Sequence, residues 1–228
     1  MKKLFFLKSL SRSVHDDNNQ EHNIQENETK ITTDHSTCTS LTVWRKSLLV
    51  NCNGFTVIDS HGDLAYRVDN YSVHPHELIL MDGSGKSILT MLRRKKFGLG
   101  DSWVVYEGEV GRSCSTTRRA KLVTEKPIWS VEKQMSILQG NDNVLAYVYR
   151  GSRIQKMNYF YVIEGSYRHR SCKIMDRSRK VVAEIKKKEA IGHGVSFGLE
   201  VFVLVVQQPG FDSGFAMALV LLLDQMHS

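Results

Sequence analysis

Hydrophobic positions fall into short runs for most of the chain and into one long run at its end. From Leu41 onward, stretches rich in Val, Ile, Leu, Tyr and Trp alternate with turn clusters every 8–14 residues. The candidate strands are 41–47, 54–60, 64–70, 77–82, 87–93, 102–109, 120–125, 128–138, 144–150, 158–164, 171–176, 180–187 and 199–206. None of them carries the spacing of an amphipathic helix. Closely spaced strands with few long connections predict an antiparallel sandwich or barrel. Three prolines in 228 residues leave the strands intact. The segment 199–206 is apolar on both faces, so its outer side should be covered by another segment.

The long run, 215–223, reads Phe-Ala-Met-Ala-Leu-Val-Leu-Leu-Leu. A helix here is apolar on every face, which requires burial on all sides or a membrane. The run is too short to cross a bilayer, which takes ~20 apolar residues. Asp212 or Ser213 can cap its start, and Asp224 and Gln225 are expected to return the chain to water. A helix over about 213–226 is roughly 21 Å long at ~1.5 Å per residue. It needs a closed wall around it, and the strands are expected to supply that wall.

The chain repeats itself. Met81-Asp-Gly-Ser-Gly-Lys86 matches Met175-Asp-Arg-Ser-Arg-Lys180 at an offset of 94. The same offset pairs Met91 with Ile185, Arg93-Arg94 with Lys187-Lys188, Gly98-Leu-Gly100 with Gly192-His-Gly194, and Ser102-Trp103 with Ser196-Phe197. At another offset, Gly62-Asp-Leu-Ala-Tyr66 resembles Asn143-Val-Leu-Ala-Tyr147. Two similar halves sharing one helix predict a single closed domain over 41–228.

Composition adds a tail and a charge. Residues 1–40 are polar, with almost nothing to bury, and are expected to form a disordered N-terminal tail. The apolar stretch Leu4-Phe5-Phe6-Leu7 is too short for a secretory signal, and Lys2 excludes myristoylation. The whole chain carries a net charge of +7, concentrated outside the tail. A basic body suits anionic partners: a lipid surface, nucleic acid or an acidic protein. Cys38, Cys52, Cys114 and Cys172 form no Cys-x-x-Cys pair, which argues against zinc and a disulfide framework and suits a reducing compartment.

Trp44-Arg-Lys-Ser47, Phe55-Thr-Val-Ile-Asp-Ser60, Leu64-Ala-Tyr-Arg-Val-Asp-Asn-Tyr71, Leu80-Met-Asp82 and Ile88-Leu-Thr-Met-Leu-Arg-Arg-Lys95 follow in order. In these segments the chain resembles the plant LURP-one-related family, from about Leu41 to Met226. That family is similar to the tubby C-terminal domain and the phospholipid scramblases. The resemblance implies a mainly β fold, a closed twelve-stranded antiparallel barrel around a central hydrophobic C-terminal helix. It also implies a role in plant defence signalling. Tubby-like domains bind phosphoinositides through a Lys/Arg cluster after a hairpin of this kind. The corresponding residues here are Arg93, Arg94, Lys95 and Lys96, with Lys186, Lys187 and Lys188 as a secondary basic patch.

On a strand Arg94 and Lys96 point one way, and Arg93 and Lys95 the other. Each Lys or Arg near an anionic leaflet contributes ~1 kcal/mol, screened by salt. Arg118-Arg119-Lys121, Arg168/Arg170 and Arg177/Arg179/Lys180 are further basic groups, equally readable as solvated strand ends. Gly83-Ser-Gly-Lys-Ser87 imitates a phosphate-binding loop, but Leu80 stands where the pattern needs glycine and a strand follows. His74-Pro-His76-Glu77 lacks a third and fourth metal ligand, and His193 reads as structural. No serine or cysteine sits in a nucleophile elbow. The expectation is a monomeric, non-enzymatic module without cofactor or metal that binds anionic phospholipid headgroups and unidentified protein partners. It has no transmembrane span and is cytoplasmic, peripheral at the plasma membrane or nuclear. The alternatives are a nucleic-acid-associated transcriptional regulator, a protein adaptor without lipid binding, and lipid scrambling. Nucleic acid is disfavoured because only charge supports it.

Overall fold

A computed structural model describes residues 38–50, 52–69, 76–95, 101–110, 126–134, 143–151, 158–189, 197–207 and 210–227, without the side chains of Lys95 and Asp101. The strands are β1 (Thr39–Trp44), β2 (Phe55–Ile58), β3 (Leu64–Val68), β4 (Glu77–Asp82), β5 (Ser87–Lys95) and β6 (Asp101–Glu107). They continue as β7 (Trp129–Lys133), β8 (Val144–Arg150), β9 (Tyr161–Ser166), β10 (Ser171–Asp176), β11 (Val181–Lys187) and β12 (Val201–Val206). One helix, α1 (Ser213–His227), follows. Sequential strands pair antiparallel all the way round, and β1 closes the wall against β12. The expected closed barrel of twelve strands is the observed one. The candidate strand 120–125 and the tail up to residue 37 lie outside the described residues. Strand β1 starts two residues before the predicted boundary, because Thr39 and Ser40 pair with Val206 and Val205.

Alternation along each strand sends one side chain in two to the barrel axis. Leu41, Val43, Phe55, Val57, Leu78, Leu80, Met91, Trp103, Val105, Ile163, Ile174, Ile185, Phe202 and Leu204 all point at the helix and form one core with it. Every residue of α1 from Gly214 to Asp224 is buried. The apolar run explains this: a closed wall contacts the helix on all sides, so no face can be polar. Asp212 is the N-cap, its carboxylate accepting the Phe215 amide at 2.6 Å. Ser213 instead shares a hydrogen bond of 2.7 Å with the Tyr66 hydroxyl. Trp129 stacks on Phe215 at the same end, with centroids 4.8 Å apart.

The repeat is a real symmetry of the wall. In the β4–β5 and β10–β11 hairpins, Asp82 and Asp176 each accept two turn amides: from Ser84 and Lys86, and from Ser178 and Lys180. Both turns then need a left-handed residue, Gly85 at φ 90° and Arg179 at φ 64°. Both hairpins carry a register shift, which leaves Ile88 and Val182 as extra residues packed on the core. The β2–β3 turn is a third copy, with Asp59 accepting the His61 and Asp63 amides and Gly62 at φ 90°. Two pairings from the sequence need correction. Trp103 opposes Arg93 while Phe202 opposes Lys187, so the counterpart of Trp103 is Phe202 and not Phe197. The second-half loop is longer. Gly62 and Asn143 lie at opposite ends of the wall, since one follows β2 and the other follows β7, so that likeness is not part of the symmetry.

The outer face of β12 also differs from expectation. Val201, Val203 and Val205 are half-buried, not buried. Lys188 reaches from the end of β11 over this strand to the Thr42 hydroxyl on β1, 3.0 Å away. Its aliphatic stem supplies cover while its ammonium keeps a polar partner.

Candidate functional site

In an antiparallel barrel, connections alternate between the two ends. The turns after β2, β4 and β10 share one end with the start of α1. The connections after β1, β3, β5, β7, β9 and β11 share the other end, where α1 finishes. Lys133 at the end of β7 donates to the Met226 carbonyl there, satisfying a helix C-terminal acceptor with a cation. The described residues of both predicted basic clusters sit on this second rim.

Arg93 and Arg94 occupy consecutive positions near the end of β5. Arg93 opposes Trp103 on the face that carries Met91 inward and is half-buried. Arg94 opposes Ser102 on the outer face and is exposed. The Lys95 side chain and all of Lys96 lie outside the described residues. On β11, Lys186 and Lys187 are exposed. Lys186 pairs with Glu184, while half-buried Lys188 bonds Thr42 and lies 5.7 Å from the centre of the Phe197 ring. Strands β5 and β11 stand opposite one another across the closed wall. The fold thus brings the two clusters to one rim but not to one pocket. A single headgroup can meet one cluster, whereas a flat anionic surface can meet both.

The other basic groups separate. Arg177, Arg179 and Lys180 lie at the far end, where Arg179 makes a two-pronged contact with Glu164 at 2.6 and 3.0 Å. Arg177 donates to the Tyr159 carbonyl and covers the Phe160 ring. Arg118, Arg119, Lys121, His74 and His193 fall outside the described residues. Arg168 is exposed, but Arg170 corrects the expectation of a solvated charge. It is 6 % exposed, its guanidinium lying between the Tyr167 and Phe202 rings at 4.3 and 4.4 Å. It also donates to the Leu199 carbonyl at 2.8 Å.

Asp224 is the second correction. It was expected to meet water, yet it is 2 % exposed. Its carboxylate accepts the Tyr167 hydroxyl at 3.0 Å and lies 3.3 Å from the Arg45 guanidinium. A charge is stable there only because it is paired and hydrogen-bonded. Burial drives the Tyr167 hydroxyl well above the ordinary phenol range, so it remains a donor. The available signal was Met226, an apolar residue beyond Asp224 that must also be inside. Burial, with Lys133 and Arg168 nearby, holds His227 below the ordinary imidazole value.

The phosphate-loop imitation is a hairpin turn. The Ser84 hydroxyl and the Lys86 amide hold the Asp82 carboxyl below the usual carboxylate range, so the amides a phosphate would need already serve a carboxylate. Burial pushes the Cys172 thiol up to about 12, which makes it a poor nucleophile. Among the described residues no group of three or more His, Cys, Asp or Glu could hold a metal ion. Nor is any helix among them long and apolar enough to cross a membrane.

A closed barrel of two related halves, filled by its own C-terminal helix, defines the structural class. The family model described as LURP-one-related matches residues 39–224. The chain is 51% identical over 227 residues to protein LURP-one-related 17 of Arabidopsis thaliana, covering 98% of this chain and 99% of that one. It is 46% identical over 189 residues to protein LURP-one-related 8 of the same plant, covering 82% and 86%. This chain belongs to the LURP-one-related family. A crystal structure of a protein from Arabidopsis thaliana is similar at a TM-score of 0.54, with 22% identity over 85% of this chain and 93% of that one. That likeness concerns the fold.

Proposed function

We propose that the barrel is a non-enzymatic module that binds anionic phospholipid, phosphoinositides included, through the rim where α1 ends. The observation that carries this reading is the exposure of Arg94 and of Lys186 and Lys187 on one rim, at opposite sides of it. Such an arrangement favours a flat anionic partner over a small ligand, and it gives reversible, salt-sensitive attachment. The setting, plant defence signalling, is the one the family resemblance implies.

The test is sedimentation of the full chain with phosphatidylcholine vesicles, with and without phosphoinositide, beside a nucleic-acid shift assay at matched salt. Arg94→Ala with Lys96→Ala should remove most phosphoinositide-dependent binding. Lys186→Ala with Lys187→Ala should weaken binding to general anionic vesicles more than it affects phosphoinositide preference. Equal loss from both pairs points to diffuse attraction by the whole basic body. A shift of nucleic acid without vesicle binding overturns the lipid reading.

A further inference from the structure

Five large hydrophobic side chains are exposed among the described residues: Trp44, Leu48, Leu49, Val50 and Leu199. All five lie at the rim where α1 ends, because they belong to the end of β1, the β1–β2 connection and the β11–β12 connection. Strands β1, β12 and β11 are neighbours, so these segments are adjacent. The Arg45 amide donates to the Glu200 carbonyl at 2.8 Å, which ties the two connections together, and Arg170 from the β9–β10 turn holds the Leu199 carbonyl.

The tip is presented by a fixed base. The Ser47 hydroxyl accepts the Leu49 amide at 3.0 Å and donates to the Asp69 carboxylate at 3.0 Å, which Arg67 also holds. The Cys52 amide closes the turn on the Leu49 carbonyl. Beyond that base, Leu48 and Leu49 stand about half out, and Val50 is 87 % exposed. A chain that buries Leu and Val throughout its core here presents three in succession. Cations flank them: Lys46 lies 5.1 Å from the Trp44 ring, and Lys186 and Lys187 are exposed beside β12. Of the acids in the same region, Glu184 pairs with Lys186 and Glu200 with Arg45, while Glu189 just beyond β11 is exposed among the lysines.

We propose that Leu48, Leu49 and Val50, with Trp44 and Leu199 beside them, insert into the acyl region of an anionic leaflet whose headgroups the flanking lysines hold. This rests on the lipid-surface reading above and adds an insertion site to it. Charge complementarity selects the occupant. An apolar tip between lysines, with an indole at its base, matches the layering of hydrocarbon, interface and anionic headgroup. Attraction by charge alone fades with salt, whereas buried apolar area does not.

Tryptophan fluorescence reports the insertion. Of the three tryptophans, Trp103 is inside the barrel and Trp129 stacks on Phe215 at the far end. Vesicles of phosphatidylcholine and phosphatidylserine with brominated acyl chains should quench Trp44, and Trp44→Phe should remove that quenching. The full-length Leu48→Ser/Leu49→Ser/Val50→Ser variant should still fold and melt cooperatively, since none of these side chains belongs to the core. It should bind the same vesicles roughly ten- to a hundredfold more weakly and lose the salt-resistant fraction of binding. Vesicle binding without quenching, or unchanged binding by the triple variant, overturns insertion and leaves surface attachment standing. No vesicle binding by wild type at low salt overturns both.

Discussion

Replacing Tyr167 by Phe removes one hydroxyl from the end of the barrel and should unsettle the whole core. The hydroxyl donates at 3.0 Å to Asp224, a carboxylate 2 % exposed in the last turn of α1. Arg45, also in contact with that carboxylate, lies at 3.3 Å with a side chain 36% exposed, so solvent screens it. A buried hydrogen bond to a charged group is worth about 1.5–3 kcal/mol. For a domain of this size 1 kcal/mol moves the melting temperature by about 2–4 °C. The expected loss for Tyr167→Phe is therefore roughly 3–12 °C by circular dichroism, with the denaturant midpoint falling and its slope unchanged. A cycle with Asp224→Ala should give a coupling of about 0.5–3 kcal/mol. A Tyr167→Phe protein that melts with wild type refutes the reasoning, since it would mean that the hydroxyl does nothing to hold the carboxylate.

Leu221→Ala, at a fully buried position, should cost about 2–5 kcal/mol in denaturant melts, and truncation after Gly210 should yield no cooperatively melting protein. His227 is held neutral in the fold, so the unfolded chain takes up the proton first as pH falls past about 6.5. Stability should therefore drop on acidification from that point, and His227→Gln should flatten the drop in melts taken across pH. Deleting residues 1–37 should leave the melting temperature unchanged, whereas deletion through Ser40 should lower it, because Thr39 and Ser40 pair with β12.

The fold was legible in the sequence because two periodicities do not overlap. Alternation between turn clusters marked the strands, and one run without a polar face could only be central. The hairpin repeat was legible because Asp82 and Asp176 do the same work in turns that need fixed backbone angles. What escaped depends on the far side of the wall. Asp224 and Arg170 are polar residues with partners far along the chain, Arg45 and Tyr167 for Asp224 and Phe202 and the Leu199 carbonyl for Arg170, and polarity alone put them in water. The basic clusters were found as charge runs. Their separation to opposite sides of one rim follows only from closure of the barrel, as does the gathering of Trp44, Leu48, Leu49, Val50 and Leu199 beside the β11 cluster.

The central functional claim is that one rim of the barrel faces an anionic surface and the other does not. Hydrogen–deuterium exchange of the full chain, with and without phosphatidylserine vesicles, compares the two rims in one measurement. The account predicts slowed exchange in peptides covering 45–50, 93–96 and 186–189 on vesicle binding. The hairpin turns 59–63, 83–86 and 177–180, at the far rim, should exchange at their unbound rates. Protection of those turns, or equal protection at both rims, contradicts it.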